Sequence, residues 1–169
     1  MTALKKGFTL IELLIVIAIL GVLAVVVLVA INPVQQLART RDAGRISTVQ
    51  QLGHAVEAFY VSHEGTYPVA ATWDSELEDS GELSVMPAEV TNTLTTANIC
   101  ATNNVNDWCY ASATAPDSFV VFTALEADTN LTTGTCVDIA YTAYLSLAGR
   151  SCIGCAAPTV LSDDTWCQN

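Results

Sequence analysis

The chain has 169 residues, half of them apolar, and a net charge of −11. That length suits one compact domain plus an attached element. The charge is segregated: residues 1–45 carry five cations against Glu12 and Asp42, whereas residues 46–169 carry Arg150 alone against fifteen acids. The second part is thus net −14, which argues against nucleic-acid binding through a basic patch.

Residues 1–7 are short, polar and basic through Lys5 and Lys6; beyond them the chain has no lysine. Phe8 to Ile31 is a run of 24 residues interrupted only by Thr9, Glu12 and Gly21. At about 1.5 Å per helical residue, this run crosses a hydrocarbon core of about 30 Å. Asn32-Pro33 marks a break, because proline lacks an N–H and its ring clashes with the carbonyl of Val29. Helical spacing then resumes: Ile46, Val49, Leu52, Val56, Phe59 and His63 fall on one stripe, with Thr48, Gln51 and Glu57 opposite. The pattern predicts one long helix from Phe8 to Ser62, kinked near Pro33. Gly65 is its expected cap and Pro68 its stop.

Residues 69–98 lack periodicity and are expected to form a loop with a short helix around Ser75–Asp79. Three β-prone runs follow: Trp108–Ala111, Phe119–Ala124 and Val137–Tyr141. Turn residues at Ala115-Pro116-Asp117 and Thr133-Gly134 separate them. The expected class is α+β, a long N-terminal helix whose second half packs on a small antiparallel sheet. The tail from Cys152 to Asn169 is expected to be irregular and cross-linked.

All six cysteines, Cys100, Cys109, Cys136, Cys152, Cys155 and Cys167, lie in the last 70 residues. An even count behind an apolar span suggests disulfides in an oxidising compartment. Six cysteines admit 15 pairings, and the sequence does not choose among them. The expectation adopted is that Cys100 pairs with Cys109, beside Trp108, and the other four pair among themselves.

The segment Lys5-Lys6-Gly7-Phe8-Thr9-Leu10-Ile11-Glu12-Leu13-Leu14-Ile15-Val16 carries the most specific signal. A carboxylate inside an apolar span costs about 2.5–3.5 kcal/mol on insertion scales, which marks Glu12 as a functional candidate. The competing reading of Glu12 is a side chain snorkelling at the membrane edge. An ordinary secretory signal needs a shorter apolar stretch and a small-x-small cleavage site, which are absent here. A plain single-span anchor is the other alternative.

The segment resembles the class III signal of type IV prepilins and secretion pseudopilins. Three later stretches extend the resemblance: Arg39–Ser47 with Ala55–Tyr60, Gly65–Pro68, and Phe119–Glu126. The resemblance implies cleavage of a leader, residues 1–7, by a membrane-embedded prepilin peptidase between Gly7 and Phe8. It also implies N-methylation of Phe8 and a polymerisation helix over residues 8–31. That helix would be stored as a single pass in the bacterial cytoplasmic membrane, in contact with lipid. Residues 32–63 would form the second half of the helix, and residues 64–169 an acidic, cysteine-containing head. An inner-membrane platform would assemble the subunits into a homo-oligomeric helical filament, extracellular or periplasmic. In it Glu12 would neutralise the Phe8 amine of a neighbour. Gly21 and Pro33 bracket a stretch of helix that can melt in assembled pili of this family. The proline falls a turn later here than in the commonest pattern.

The function expected is that of a structural pilus subunit, not an enzyme. A pseudopilin of a type II secretion or DNA-uptake machine is the alternative. A membrane-anchored thiol oxidoreductase using Cys152-Ile153-Gly154-Cys155 is a distant third, since the βαβ context of such sites is not seen. A zinc knuckle would need a second pair, and Cys100 and Cys109 have the wrong spacing for one. No cofactor is expected; Asp128 and Asp138 are weak calcium candidates without an EF-hand pattern. Arg39, Arg41 and Arg45 are either a solvated face or contacts to acidic patches of neighbouring subunits. His63 is expected at the core edge, half-buried, and His54 on the surface.

Overall fold

Asn32 divides the helical part of the chain. It adopts a left-handed conformation (φ 45°, ψ 74°) between α1, Leu10–Ile31, and α2, Pro33–Ser62. Pro33 disfavours the helical region for the residue before it, and asparagine tolerates the left-handed one. As the first residue of α2, Pro33 needs no N–H. The Asn32 carbonyl instead receives the N–H groups of Gln35 and Gln36, at 3.1 and 3.3 Å, which starts the new helix. The single helix expected from Phe8 is therefore two helices, and the break falls on Asn32 itself. Gly21 interrupts nothing, since α1 runs through it.

This computed structural model describes residues 7–88, 99–100, 103–114, 117–132, 136, 139–160 and 162–167. The chain forms two compact units, Met1–Leu37 and Ala38–Asn169. In the first unit, α1 is apolar on every side and none of its residues is buried.

In the second unit, α2 ends at Ser62. Glu64 and Gly65 both take positive φ, and the Gly65 N–H reaches the Tyr60 carbonyl at 3.0 Å. A short helix α3, Trp73–Asp79, follows. Five strands then form an antiparallel meander in chain order: β1 Asn104–Val105, β2 Trp108–Thr114, β3 Asp117–Leu125, β4 Ala140–Leu145 and β5 Arg150–Gly154. A one-turn helix α4, Asp128–Thr132, sits between β3 and β4.

Strand alternation sends Tyr110, Phe119, Val121 and Tyr144 to one face, where they meet Val49, Leu52, Val56 and Phe59 of α2 together with Trp73 and Leu77. Gly53 lets α2 approach closely: a Cβ there would lie 2.2 Å from Cγ of Tyr144. The opposite face carries Cys109, Val120, Phe122, Ala143 and Leu145, covered by Val160 and Trp166 of the tail. Both faces are covered, so β3 is buried along all but its first residue.

The third strand expected at Val137–Tyr141 lies further on, at Ala140–Leu145; Val137 and Asp138 fall outside the described residues. Arg150–Gly154, the start of the expected irregular tail, is a strand, because Tyr141–Leu145 offers it a ladder with Leu145 opposite Arg150. His63 is exposed rather than half-buried. It lies beyond the last turn of α2, and its ring stacks on Phe59 at 3.8 Å. His54 is exposed, with its ring edge on Tyr144.

Candidate functional site

The N-terminal end of α1 is a capping box built from Thr9 and Glu12. The Thr9 N–H and hydroxyl both donate to the Glu12 carboxylate, at 2.9 and 2.8 Å. The Glu12 N–H returns a bond to the Thr9 hydroxyl at 3.2 Å. The sequence pattern is the S/T-x-x-E of such boxes. It places a carboxylate at the positive end of the helix dipole and aims it back at the Phe8–Thr9 peptide. The Glu12 carboxylate thus has a partner within its own chain. Gly7 and Phe8 precede the box outside any helix or strand; both are exposed, Phe8 to 84%, and a Cβ on Gly7 would touch nothing within 4 Å. Lys5 and Lys6 lie outside the described residues.

After Glu12, α1 has no charged residue up to Ile31, and it is long and apolar enough to cross a membrane. Gly21 has open space where a Cβ would be, so one chain alone does not require a glycine there.

The three arginines after the break separate. Arg39 is exposed. Arg45 is buried, bonds Asp42 at 2.7 Å and lies 3.3 Å from Glu126; Arg41 also bonds Glu126. Asp42 accepts in addition the backbone N–H groups of Glu126 and Ala127, at 3.0 and 2.9 Å, and the Asn130 amide at 2.6 Å. Two of the three arginines therefore hold the end of β3, not a solvated face. Spacing contained the signal: Ala38, Asp42 and Arg45 continue the stripe of Val49, Leu52, Val56 and Phe59, so a charged pair was due to be buried.

The structure pairs Cys100 with Cys109, Cys136 with Cys155 and Cys152 with Cys167. Cys152 and Cys155 are three residues apart around a strand, so they start on opposite faces of the sheet. One bond leads toward Leu125 and Ala140, the other to the tail. Each is consumed by a different partner, which does not suit a dithiol redox pair. Asp128 begins α4, and Asp138 lies outside the described residues. Among the described residues no three His, Cys, Asp or Glu side chains cluster to hold a metal.

Three comparisons bear on this geometry. The model of the prokaryotic N-terminal methylation motif matches residues 3–28. The fimbrial protein of Neisseria meningitidis serogroup B (strain ATCC BAA-335 / MC58) is 39% identical over 110 residues, which cover 63% of this chain and 62% of that protein. A type IV major pilin protein PilE1 of Neisseria gonorrhoeae is 36% identical over 110 residues, 63% of this chain and 65% of its own length. The chain thus spans less than two thirds of the length of these relatives. No solved structure matches at the same level of significance. In its N-terminal methylation motif, in its similarity to pilins over 110 residues and in its order of N-terminal helices followed by an antiparallel sheet, the chain is similar to type IV prepilins.

Proposed function

We propose that the chain is a structural subunit of a type IV pilus. In this reading prepilin peptidase cuts between Gly7 and Phe8, Phe8 is N-methylated, and α1 is held in the cytoplasmic membrane until the subunit polymerises. The observation that carries the proposal is Glu12, the one charge in an exposed apolar helix of 22 residues. A carboxylate inside an apolar span is costly and marks a functional position, for which a cation is the strongest partner. Loss of the leader removes both lysines and creates one amine, on Phe8. The next cation, Arg39, is 27 residues beyond Glu12 in sequence, with the break at Asn32 between them. The cation that a second copy can bring to the depth of Glu12 is therefore its Phe8 amine. In a lone subunit the Thr9 cap satisfies Glu12; in a filament the amine of a neighbour joins or replaces it. Such a pair acts as a register device, since a slipped helix leaves both charges in apolar surroundings.

The test is Glu12→Val, followed by electron microscopy of shed filaments, a membrane immunoblot and mass spectrometry of the mature N-terminus. The variant should be cleaved to begin at Phe8 and should accumulate in the membrane, because the span becomes wholly apolar. It should polymerise poorly, because an unpaired buried amine costs about 3–5 kcal/mol. Wild-type filament yield from the variant, or a mature chain beginning elsewhere than Phe8, would sink the reading.

A further inference from the structure

Without the leader the chain has five cations: the Phe8 amine and four arginines. Three of the arginines are engaged within the chain. Arg45 is buried between Asp42 and Glu126, Arg41 bonds Glu126, and Arg150 bonds Asp164 at 2.7 Å. Arg39 is exposed and, among the described residues, holds no carboxylate. Its nearest acid along the helix, Asp42, faces inward and is saturated by Arg45, Asn130 and two backbone N–H groups.

The surroundings of Arg39 suit a contact. The exposed face of α2 continues through Ala43, Gly44 and Ser47, which are small and uncharged. A Cβ on Gly44 would meet nothing within 4 Å, so the fold of one chain does not require a glycine there. The head, by contrast, exposes carboxylates at Glu64, Glu78, Asp79 and Asp128, among others. Two copies brought together repel through these acids, and Arg39 is the guanidinium left to offset that repulsion.

We infer that the Arg39 face of α2 is a contact between subunits, and that its occupant is the carboxylate-bearing head surface of a second copy of this chain. The inference rests on the filament reading. In the contact Arg39 donates to a carboxylate of the neighbour, and the small residues beside it let the neighbour approach. Joined head to tail, with Arg39 of one copy meeting an acid of the next, such a contact repeats along a filament.

The experiment compares Arg39→Lys, Arg39→Gln, Arg39→Glu and Gly44→Leu in cells that shed wild-type filaments, scoring shed filament against membrane-held subunit. Arg39→Lys should stay near wild type, Arg39→Gln should fall several-fold, and Arg39→Glu should fall further, all with an unchanged membrane pool. Gly44→Leu should also lower the yield, because it fills space that is empty in a single chain. Sheared wild-type filaments should resist dissociation better than Arg39→Gln filaments at 0.1 M salt, where screening extends about 10 Å. The gap should close at 1 M, where it extends about 3 Å. Wild-type yield from Arg39→Glu, a depleted membrane pool, or a gap that persists at 1 M salt would overturn the assignment. If Arg39→Glu assembles normally while Glu12→Val does not, this inference fails and the filament reading stands. Assembly by both variants would remove both.

Discussion

The Asp42 carboxylate accepts the backbone N–H of Glu126 at 3.0 Å, tying α2 to the end of β3 across 84 residues of sequence. The same carboxylate holds Ala127 and Asn130, and Arg45 neutralises it from the next turn of the helix. Glu126 then takes Arg41 and Arg45 together. Two acids and two bases cancel, and the backbone leaving β3 gains acceptors that no strand supplies. A buried cluster of this kind is stable only when complete, because each member removed leaves a charge without a partner.

Asp42→Ala should therefore destabilise the head by about 3–5 kcal/mol, since it leaves Arg41 and Arg45 with Glu126 alone to balance them and takes the acceptor from two backbone N–H groups. Thermal melting of the detergent-solubilised protein, followed by circular dichroism, checks this. Replacing Asp42, Arg45 and Glu126 together by apolar residues of similar volume should cost less than Asp42→Ala alone. A triple variant melting below the single one would mean that the cluster contributes more than its own charge balance.

Gly53→Ala should cost about 1–3 kcal/mol, because its Cβ would fall 2.2 Å from Cγ of Tyr144 and the overpacked ring must shift. Tyr144 is not free to do so, as its hydroxyl donates to Glu57 on the same helix at 2.7 Å. Gly44→Ala, on the exposed face of the same helix, should instead be neutral or stabilising by up to about 1 kcal/mol. Opposite signs at the two glycines in one melting experiment are the expected result.

The bond from Cys152 to Cys167 closes a loop of 15 residues, for which chain entropy predicts about 3 kcal/mol of stabilisation. Its structural effect is to hold Trp166 and Val160 over Val120 and Phe122. Cys152→Ser combined with Cys167→Ser should loosen that cover, so a dye that binds exposed apolar surface should respond before the head unfolds. Cys100→Ser combined with Cys109→Ser should leave the tail, and the dye signal, unchanged until global unfolding.

Alkaline pH should unfold the head through its tyrosines. Burial raises the Tyr67 hydroxyl from 10.0 to about 12. Tyr110 is raised further by burial, and Tyr144 by burial and by its bond to Glu57. The neutral form is the one the fold prefers, so this stability is fully present below pH 10 and is lost as pH climbs toward 12. Absorbance at the tyrosinate wavelength and circular dichroism should change together over that interval. Early tyrosine ionisation, complete near pH 10 with the fold intact, would contradict the burial of this cluster.

Local chemistry alone determined several features of this protein. The 22 residues of α1, apolar but for Glu12 and Gly21, make a span whatever surrounds them, and Thr9 three residues before Glu12 makes a cap. Glu64-Gly65 with Pro68 ends a helix because of backbone sterics alone. The stripe from Val49 to Phe59 and the β-prone runs after it made the α+β class legible by periodicity. Other features needed the tertiary fold. Arg150–Gly154 has no strand signature strong enough to stand alone; it is a strand because β4 pairs with it and the tail covers it. The disulfide partners depend on which sheet face each cysteine occupies, a parity set once the register of β5 is fixed. The division of the arginines depends on Glu126, which is 85 residues from Arg41 in sequence and in contact with it in space. Periodicity reports which face a residue lies on, but only the packed sheet supplies the carboxylate that waits there.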